Sequence, residues 1–223
     1  VYRDVIDNGR KVAKGTLPMM NDTWHRKMEV IRDSIPTNGI VLTWWDYGSW
    51  IKQIGKHKVF IDGHSQERPV THWIARFLMS TNEDEALAIV RMLAHSSDRL
   101  FDTLSTYFDN PYVAISLMNR LMMSNREEAD KILRNYKVPD SLSASLMVSL
   151  YGTPRDPVYI LVYKEMIDIT PAFSFLGNWE FPRVYYMKNL SLPKEQLIAS
   201  AIKLFSLSKS DAVRLYTEVA SVS

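Results

Sequence analysis

The sequence predicts an α+β fold, predominantly helical with a small β-sheet. Apolar residues recur at helical spacing between polar caps over most of the chain, and only short runs are β-branched and aromatic enough to form strands. Neither an internal repeat nor a low-complexity linker interrupts the 223 residues. They are therefore read as a single globular domain, 1–223, although the length is compatible with two small ones.

The spacing predicts a first helix over 24–34. Asn21, Asp22 and Thr23 supply polar caps, Trp24, Met28 and Ile31 recur on one face, and Pro36 stops it. Residues 39–43 form a short β-type run that ends in Trp44-Trp45-Asp46-Tyr47-Gly48. Residues 58–61 are a second strand, closed by the turn pair Asp62-Gly63. From Pro69 the pattern is helical. Ser80 and Thr81 are expected to cap a helix running to Ala94, with Glu83, Asp84 and Glu85 in the first turn where the helix dipole favours acids. Further helices are expected over 98–108, 111–123, 127–136 and 141–150, the second opened by the Asn110-Pro111 cap. Methionines and leucines of this block are assigned to the core. Residues 158–163, Val-Tyr-Ile-Leu-Val-Tyr, make the best strand of the chain. Thr170-Pro171 opens a short helix, 183–188 is taken as a strand, and helices over 194–205 and 208–219 close the chain. Ser208 and Asp211 resemble a capping box.

Composition narrows the function classes. With 46% hydrophobic and 23% charged residues the chain is ordinary globular protein, long enough to bury about 70% of its unfolded surface without staples. The absence of cysteine rules out disulfides, thiolate zinc sites and cysteine nucleophiles within the chain. The net charge of +2, with 27 basic residues dispersed, gives no nucleic-acid footprint. No segment approaches the ~18 consecutive apolar residues of a bilayer span, and Val1-Tyr2-Arg3-Asp4 does not read as a signal peptide.

The unusual feature is Thr43-Trp44-Trp45-Asp46-Tyr47-Gly48. Adjacent tryptophans at the end of a strand should point to opposite faces, so both seldom serve one core. The carboxylate and glycine that follow describe a turn presenting an acid beside indole rings. Indole offers one N–H donor and a broad apolar face, which suits a ligand carrying a hydroxyl and a small apolar part. An aromatic-rich core turn, with Asp46 merely accepting from backbone amides, is the plainer reading of the same residues.

Trp44-Trp45-Asp46-Tyr47-Gly48 resembles the signature pentapeptide of oligosaccharyltransferase catalytic subunits, a family with eukaryotic, archaeal (AglB) and bacterial (PglB) branches. The resemblance extends over residues 40–93. It includes a short helix at 49–54, a strand ending at Asp62, the polar loop 63–69 and the acidic helix start Ser80-Thr81-Asn82-Glu83-Asp84-Glu85. A second family element takes a DxxK or MxxI form on a helix packed beside the pentapeptide. Here Met166 and Ile169 match MxxI, with Phe173 at the further hydrophobic position. The long helical stretch between the two elements is most like the archaeal branch.

The resemblance implies the extracytosolic, carboxyl-terminal part of a multi-spanning membrane enzyme, with the transmembrane part absent from this chain. It implies that Trp44, Trp45 and Asp46 bind the Ser/Thr hydroxyl of an Asn-X-Ser/Thr acceptor and that Ile169 packs against the threonine methyl. Tyr47, Gly48, Met166 and Phe173 support the motif. It also implies a divalent cation (Mn or Mg) and a lipid-linked oligosaccharide, both engaged by membrane-side residues outside this chain. No catalytic residue and no metal ligand is assigned here, and the fragment alone is expected to be inactive.

Other readings rest on fewer residues. A stand-alone carbohydrate- or peptide-binding module would use the same tryptophans. A glycoside hydrolase would pair Asp46 with Asp62, but nothing sets the ~5–9 Å separation that chemistry needs. Asp62, His64, His72 and Glu67 suggest a metal site without the helical His spacing that supports one. His25, His57 and His95 are isolated and assigned structural or exposed roles. Asn21-Asp22-Thr23 and Asn189-Leu190-Ser191 are sequons within the chain itself.

Overall fold

The computed structural model describes residues 20–65, 68–97 and 99–221. It is predominantly helical with a small three-stranded parallel sheet, the α+β class expected. The chain divides into two compact units, one drawn from Val1–Ile74 and Arg155–Ile169, the other from Ala75–Pro154 and Thr170–Ser223.

In the first unit, α1 (Asp22–Ser34) is capped by Asn21, whose side chain accepts from the Trp24 amide, and buries Trp24 and Met28. β1 (Ile40–Leu42) leads through a 3₁₀ turn, Trp45–Tyr47, directly into α2 (Gly48–Gln53). β2 (Lys58–Val59) and β3 (Val158–Ile160) flank β1 in the order β2-β1-β3. Both pairings are parallel, with Ile40 opposite Lys58 and Val158, and Leu42 opposite Ile160. β1 is buried on both faces, as a central parallel strand requires. β3 stops at Ile160, three residues short of the expected strand. Beyond it a single backbone bond, Leu161 N–H to the Leu42 carbonyl, prolongs the pairing, because β1 itself ends there. Helix α3 (Pro69–Met79) crosses the division between the units.

The second unit holds α4 (Glu83–Ser96), α5 (Arg99–Phe108), α6 (Pro111–Met122), α7 (Arg126–Asn135) and α8 (Asp140–Tyr151). α4 packs on α8, and α6 on α5. Met92, Met118 and Met122 are buried with Leu104, Leu117 and Leu121, as assigned, whereas Met123 is exposed at the helix end. Asn82, rather than Ser80 or Thr81, caps α4: its side chain accepts from the Glu85 amide, while Ser80 bridges the Asn82 carbonyl and the Glu85 carboxylate. Glu85 is buried and paired with Arg76. Asp98, at the expected start of the next helix, lies outside the described residues. A reciprocal capping box of Asn125 and Glu128 starts α7. At Ser208 the box is not reciprocal. The hydroxyl accepts from the Asp211 amide and donates to the Asp211 carboxylate, because Asp is one methylene shorter than Glu.

α9 (Thr170–Gly177), α10 (Phe181–Asn189), α11 (Lys194–Phe205) and α12 (Lys209–Ser221) complete the chain. The expected strand at 183–188 is helix α10. Pro182 occupies its first turn, where the missing N–H costs nothing. Tyr186 is fully buried in a cluster with Leu197, Ala201, Leu215 and Val219, and its hydroxyl donates to the Ala212 carbonyl at 2.9 Å. Packing of one helical face thus overrides the β preference of Val184, Tyr185 and Tyr186.

Candidate functional site

The pentapeptide's conformation follows from the tightness of its turn. A 3₁₀ turn has about three residues per turn, so side chains at i and i+3 share a side. Trp44, which caps the turn, and Tyr47 are buried at 3% and 4% exposure, while Trp45 and Asp46 between them are half-buried. The tryptophans therefore do not sit on opposite faces of a strand. β1 ends at Leu42, and the two rings lie 6.4 Å apart at 47°.

Tyr47 anchors the turn in an aromatic cluster. Its ring stacks on Trp24 at 4.1 Å and meets Trp50 and Tyr163 edge-on at 5.1 and 4.5 Å. Gly48 is required by close approach. A Cβ there would stand 2.2 Å from the Ile61 carbonyl oxygen and 2.8 Å from Asp62 Cα, both backbone atoms that cannot swing away. Gly48 thus seats the start of α2 on the chain leaving β2. There Asp62 closes a turn by accepting from the His64 amide and Ser65 hydroxyl, and pairs with Lys52 at 2.8 Å. The Lys52 ammonium and these donors hold the Asp62 carboxyl below its ordinary pKa despite some desolvation.

Asp46 behaves oppositely. Partial burial raises its pKa, and only the nearby Tyr163 hydroxyl pulls it back. No basic side chain pairs with it among the described residues. The residue as a whole is half-buried rather than buried. Tyr163 comes from the segment after β3, which parallel pairing brings to the same end of the sheet as the segment after β1. Thr43 Oγ1 donates to the Leu161 carbonyl at 3.2 Å and ties the two exits together. The carboxyl ends of parallel strands are where open α/β sheets commonly place ligands.

Met166 and Ile169 follow in the same unit. Met166, buried, closes a 3₁₀ turn (Lys164–Met166), and Ile169 is half-buried. The MxxI element therefore lies on a 3₁₀ turn and the residues after it, not on one continuous helix. Pro171 has no backbone N–H to carry the ladder through. Phe173 is buried within the second unit. The sequence marks Tyr163 only as a strand residue, since nothing in a β-rich run distinguishes a tyrosine that faces an acid 117 positions upstream.

The remaining candidates do other work. No three His, Cys, Asp or Glu side chains converge among the described residues, and Glu67 lies outside them. His72 packs edge-on to Trp73. His57 is buried with Nε2 3.2 Å from the Ile31 carbonyl. His25 lies 3.7 Å from Glu29. His95 carries a buried ring nitrogen, Nε2. Asn21 caps α1, and Asn189 Nδ2 donates to the Tyr185 carbonyl at 2.8 Å.

A family model described as the STT3/PglB/AglB core domain matches residues 37–183, well over half of the chain and inclusive of both motif segments. The chain belongs to this family. Two similar curated relatives are archaeal, each named dolichyl-phosphooligosaccharide-protein glycotransferase. That of Methanococcus voltae is 30% identical over 171 residues, 74% of this chain and 19% of the relative. That of Methanocaldococcus jannaschii is 28% identical over 169 residues, 74% of this chain and 18% of the relative. The chain thus spans about a fifth of the length of these relatives. No solved structure matches it. No helix among the described residues is long and apolar enough to cross a membrane.

The geometry makes two substitutions informative. Gly48→Ala is expected to destabilise the chain by about 1–3 kcal/mol, the usual penalty of overpacking, measured by denaturant unfolding. Asp46→Asn is expected to stabilise it at neutral pH. A folded-state pKa above the unfolded value means that the native carboxylate becomes a net cost as pH rises through that interval. The gain in melting temperature should therefore be present at pH 7 and vanish below the ordinary carboxylate range. Thermal melts across pH 3–7 check it.

Proposed function

We propose that this chain is the acceptor-recognition part of an oligosaccharyltransferase of archaeal type, and that Asp46 accepts a hydrogen bond from the Ser/Thr hydroxyl of an Asn-X-Ser/Thr acceptor. The observation that carries this reading is the state of Asp46: a half-buried carboxylate with no cationic partner among the described residues, its pKa raised by desolvation, standing beside a half-buried indole. Carboxylates whose ionisation is opposed by burial cluster at functional sites, and this one lacks the cation that would offset it among the described residues. Asp62, paired and held in its turn, has no such spare capacity.

Trp45, half-buried like Asp46 and next to it in the turn, would add an indole face and an N–H donor to the same site, its ring 6.4 Å from that of the buried Trp44. Hydrogen bonds to charged groups contribute about 1.5–3 kcal/mol. A peptide without the hydroxyl would also leave the carboxylate partly desolvated and unpaired, a penalty that can reach ~10⁴-fold discrimination. Ile169 supplies apolar surface for the threonine methyl, worth about 0.8 kcal/mol for a group of that size. The expected preference for Thr over Ser is therefore only a few-fold.

The dolichyl-phosphooligosaccharide named for the relatives indicates the donor class, a lipid-linked oligosaccharide. The four-fifths of their length outside this chain is where we place the bond-making chemistry, the membrane anchor and the divalent cation (Mn or Mg). This domain would then stand on the extracytosolic face and be inactive alone. The described residues of this chain do not fit the cation. Among those described, no set of three potential ligands converges, and the Asp62 carboxylate is committed to its turn and to Lys52.

The test uses the full-length enzyme. Asp46→Asn is expected to lower transfer to both Thr and Ser acceptor peptides by about tenfold or more, while Ile169→Ala lowers only the Thr-over-Ser ratio, toward unity. Wild-type transfer by the Asp46 variant, measured as glycopeptide formed, would remove the basis of the assignment.

A further inference from the structure

The Tyr163 side chain is buried to 8% exposure, and its hydroxyl is shut off from solvent without a hydrogen-bond partner. A buried hydroxyl left unbonded costs about 1–3 kcal/mol, so its persistence needs a reason. The ring is packed between two others: Tyr47 meets it edge-on at 4.5 Å and Trp24 at 5.9 Å. The hydroxyl faces the Asp46 carboxyl without closing a hydrogen bond of full geometry. Being sealed, it has no access to a ligand except through that carboxylate.

We propose that Tyr163 is the positioning residue for Asp46: its hydroxyl donates to one carboxylate oxygen when the site is occupied and thereby turns the other toward the incoming hydroxyl side chain. The inference rests on the role given to Asp46 above. In this arrangement the two carboxylate oxygens would be divided between an inner and an outer partner. The inner bond satisfies the orphaned phenol and stabilises the ionised acid where burial disfavours it; the outer oxygen remains free to accept. The phenol stays protonated throughout, since burial and the neighbouring Asp46, Tyr47 and Glu165 push its pKa far above the ordinary range. Glu165 and Tyr47 also bear on this pair electrostatically, and both remain in place when the Tyr163 hydroxyl alone is removed.

The experiment compares wild type, Tyr163→Phe and Asp46→Asn in the full-length enzyme, with Thr, Ser and Ala acceptor peptides across pH. Tyr163→Phe is expected to raise KM for Thr and Ser peptides together by about tenfold, to leave kcat and the Thr-over-Ser ratio unchanged, and to move the acid limb of kcat/KM to higher pH. The sign follows from the donor's role: without it the Asp46 carboxylate is harder to ionise, so recognition is lost sooner on acidification. A Tyr163→Phe enzyme with the wild-type acid limb and KM overturns the inference while leaving Asp46 in its role, provided that Asp46→Asn is impaired. If Asp46→Asn is itself unimpaired, the underlying reading fails first. If Tyr163→Phe does not fold, site-specific Tyr163→3-fluorotyrosine keeps the shape and strengthens the donor. Its acid limb should then move to lower pH, and an unmoved limb overturns the proposal.

Discussion

Parallel pairing of β1 with β3 is the constraint that creates the candidate site. In a parallel pair both chains leave the sheet at the same end, so the residues after Leu42 and those after Ile160 are brought side by side although Thr43 and Leu161 are 118 positions apart. An antiparallel β3 would deliver Tyr163 and Met166 to the far end of the sheet. The juxtaposition of Asp46 with Tyr163 is held by three ladder pairs, a backbone bond at either end of them, the Thr43 hydroxyl and the Tyr47 and Trp24 rings against Tyr163.

Within that frame the pentapeptide sorts its own residues. Three residues per turn send Trp44 and Tyr47 inward and leave Trp45 and Asp46 at the surface. The inward pair is held by aromatic contacts, and the glycine that follows lets the backbone of α2 touch that of the β2 exit. The residue types divide the physical demands among them. Apolar bulk anchors the turn, the glycine leaves the backbone contact clear, and a polar group takes the side that stays open. Replacing any one disturbs a different interaction. That is why five consecutive residues behave as one device rather than as an aromatic patch with an acid nearby.

The energetic asymmetry between the two acids of this unit is informative. Asp62 is surrounded by donors and a lysine, and its ionisation is favoured by the structure. Asp46 is desolvated without a cation among the described residues, and its ionisation is opposed. A fold selected for stability alone would favour Asn or an apolar residue at 46. The carboxylate makes physical sense as a group whose cost is offset when a hydroxyl binds, with Tyr163 lowering that cost from the inner side.

Local sequence is enough to dictate the fold class, nearly every helix and the identity of the pentapeptide. Caps, prolines and helical periodicity act over a few residues and are written locally, as at Asn110-Pro111 and Asn125-Glu128. The order of the two motif segments along the chain is legible too, through resemblance rather than through periodicity. Long-range packing settles the rest. It makes 183–188 helical, because burial of Tyr186 against α11 and α12 outweighs local β preference. It also sorts the adjacent tryptophans by a 3₁₀ turn instead of a strand, sets MxxI across a second such turn, and brings Tyr163 to Asp46. Each of these depends on pairings between residues distant in the chain, and the spacing of residue types along a single strand or helix carries no record of which distant group will be its neighbour.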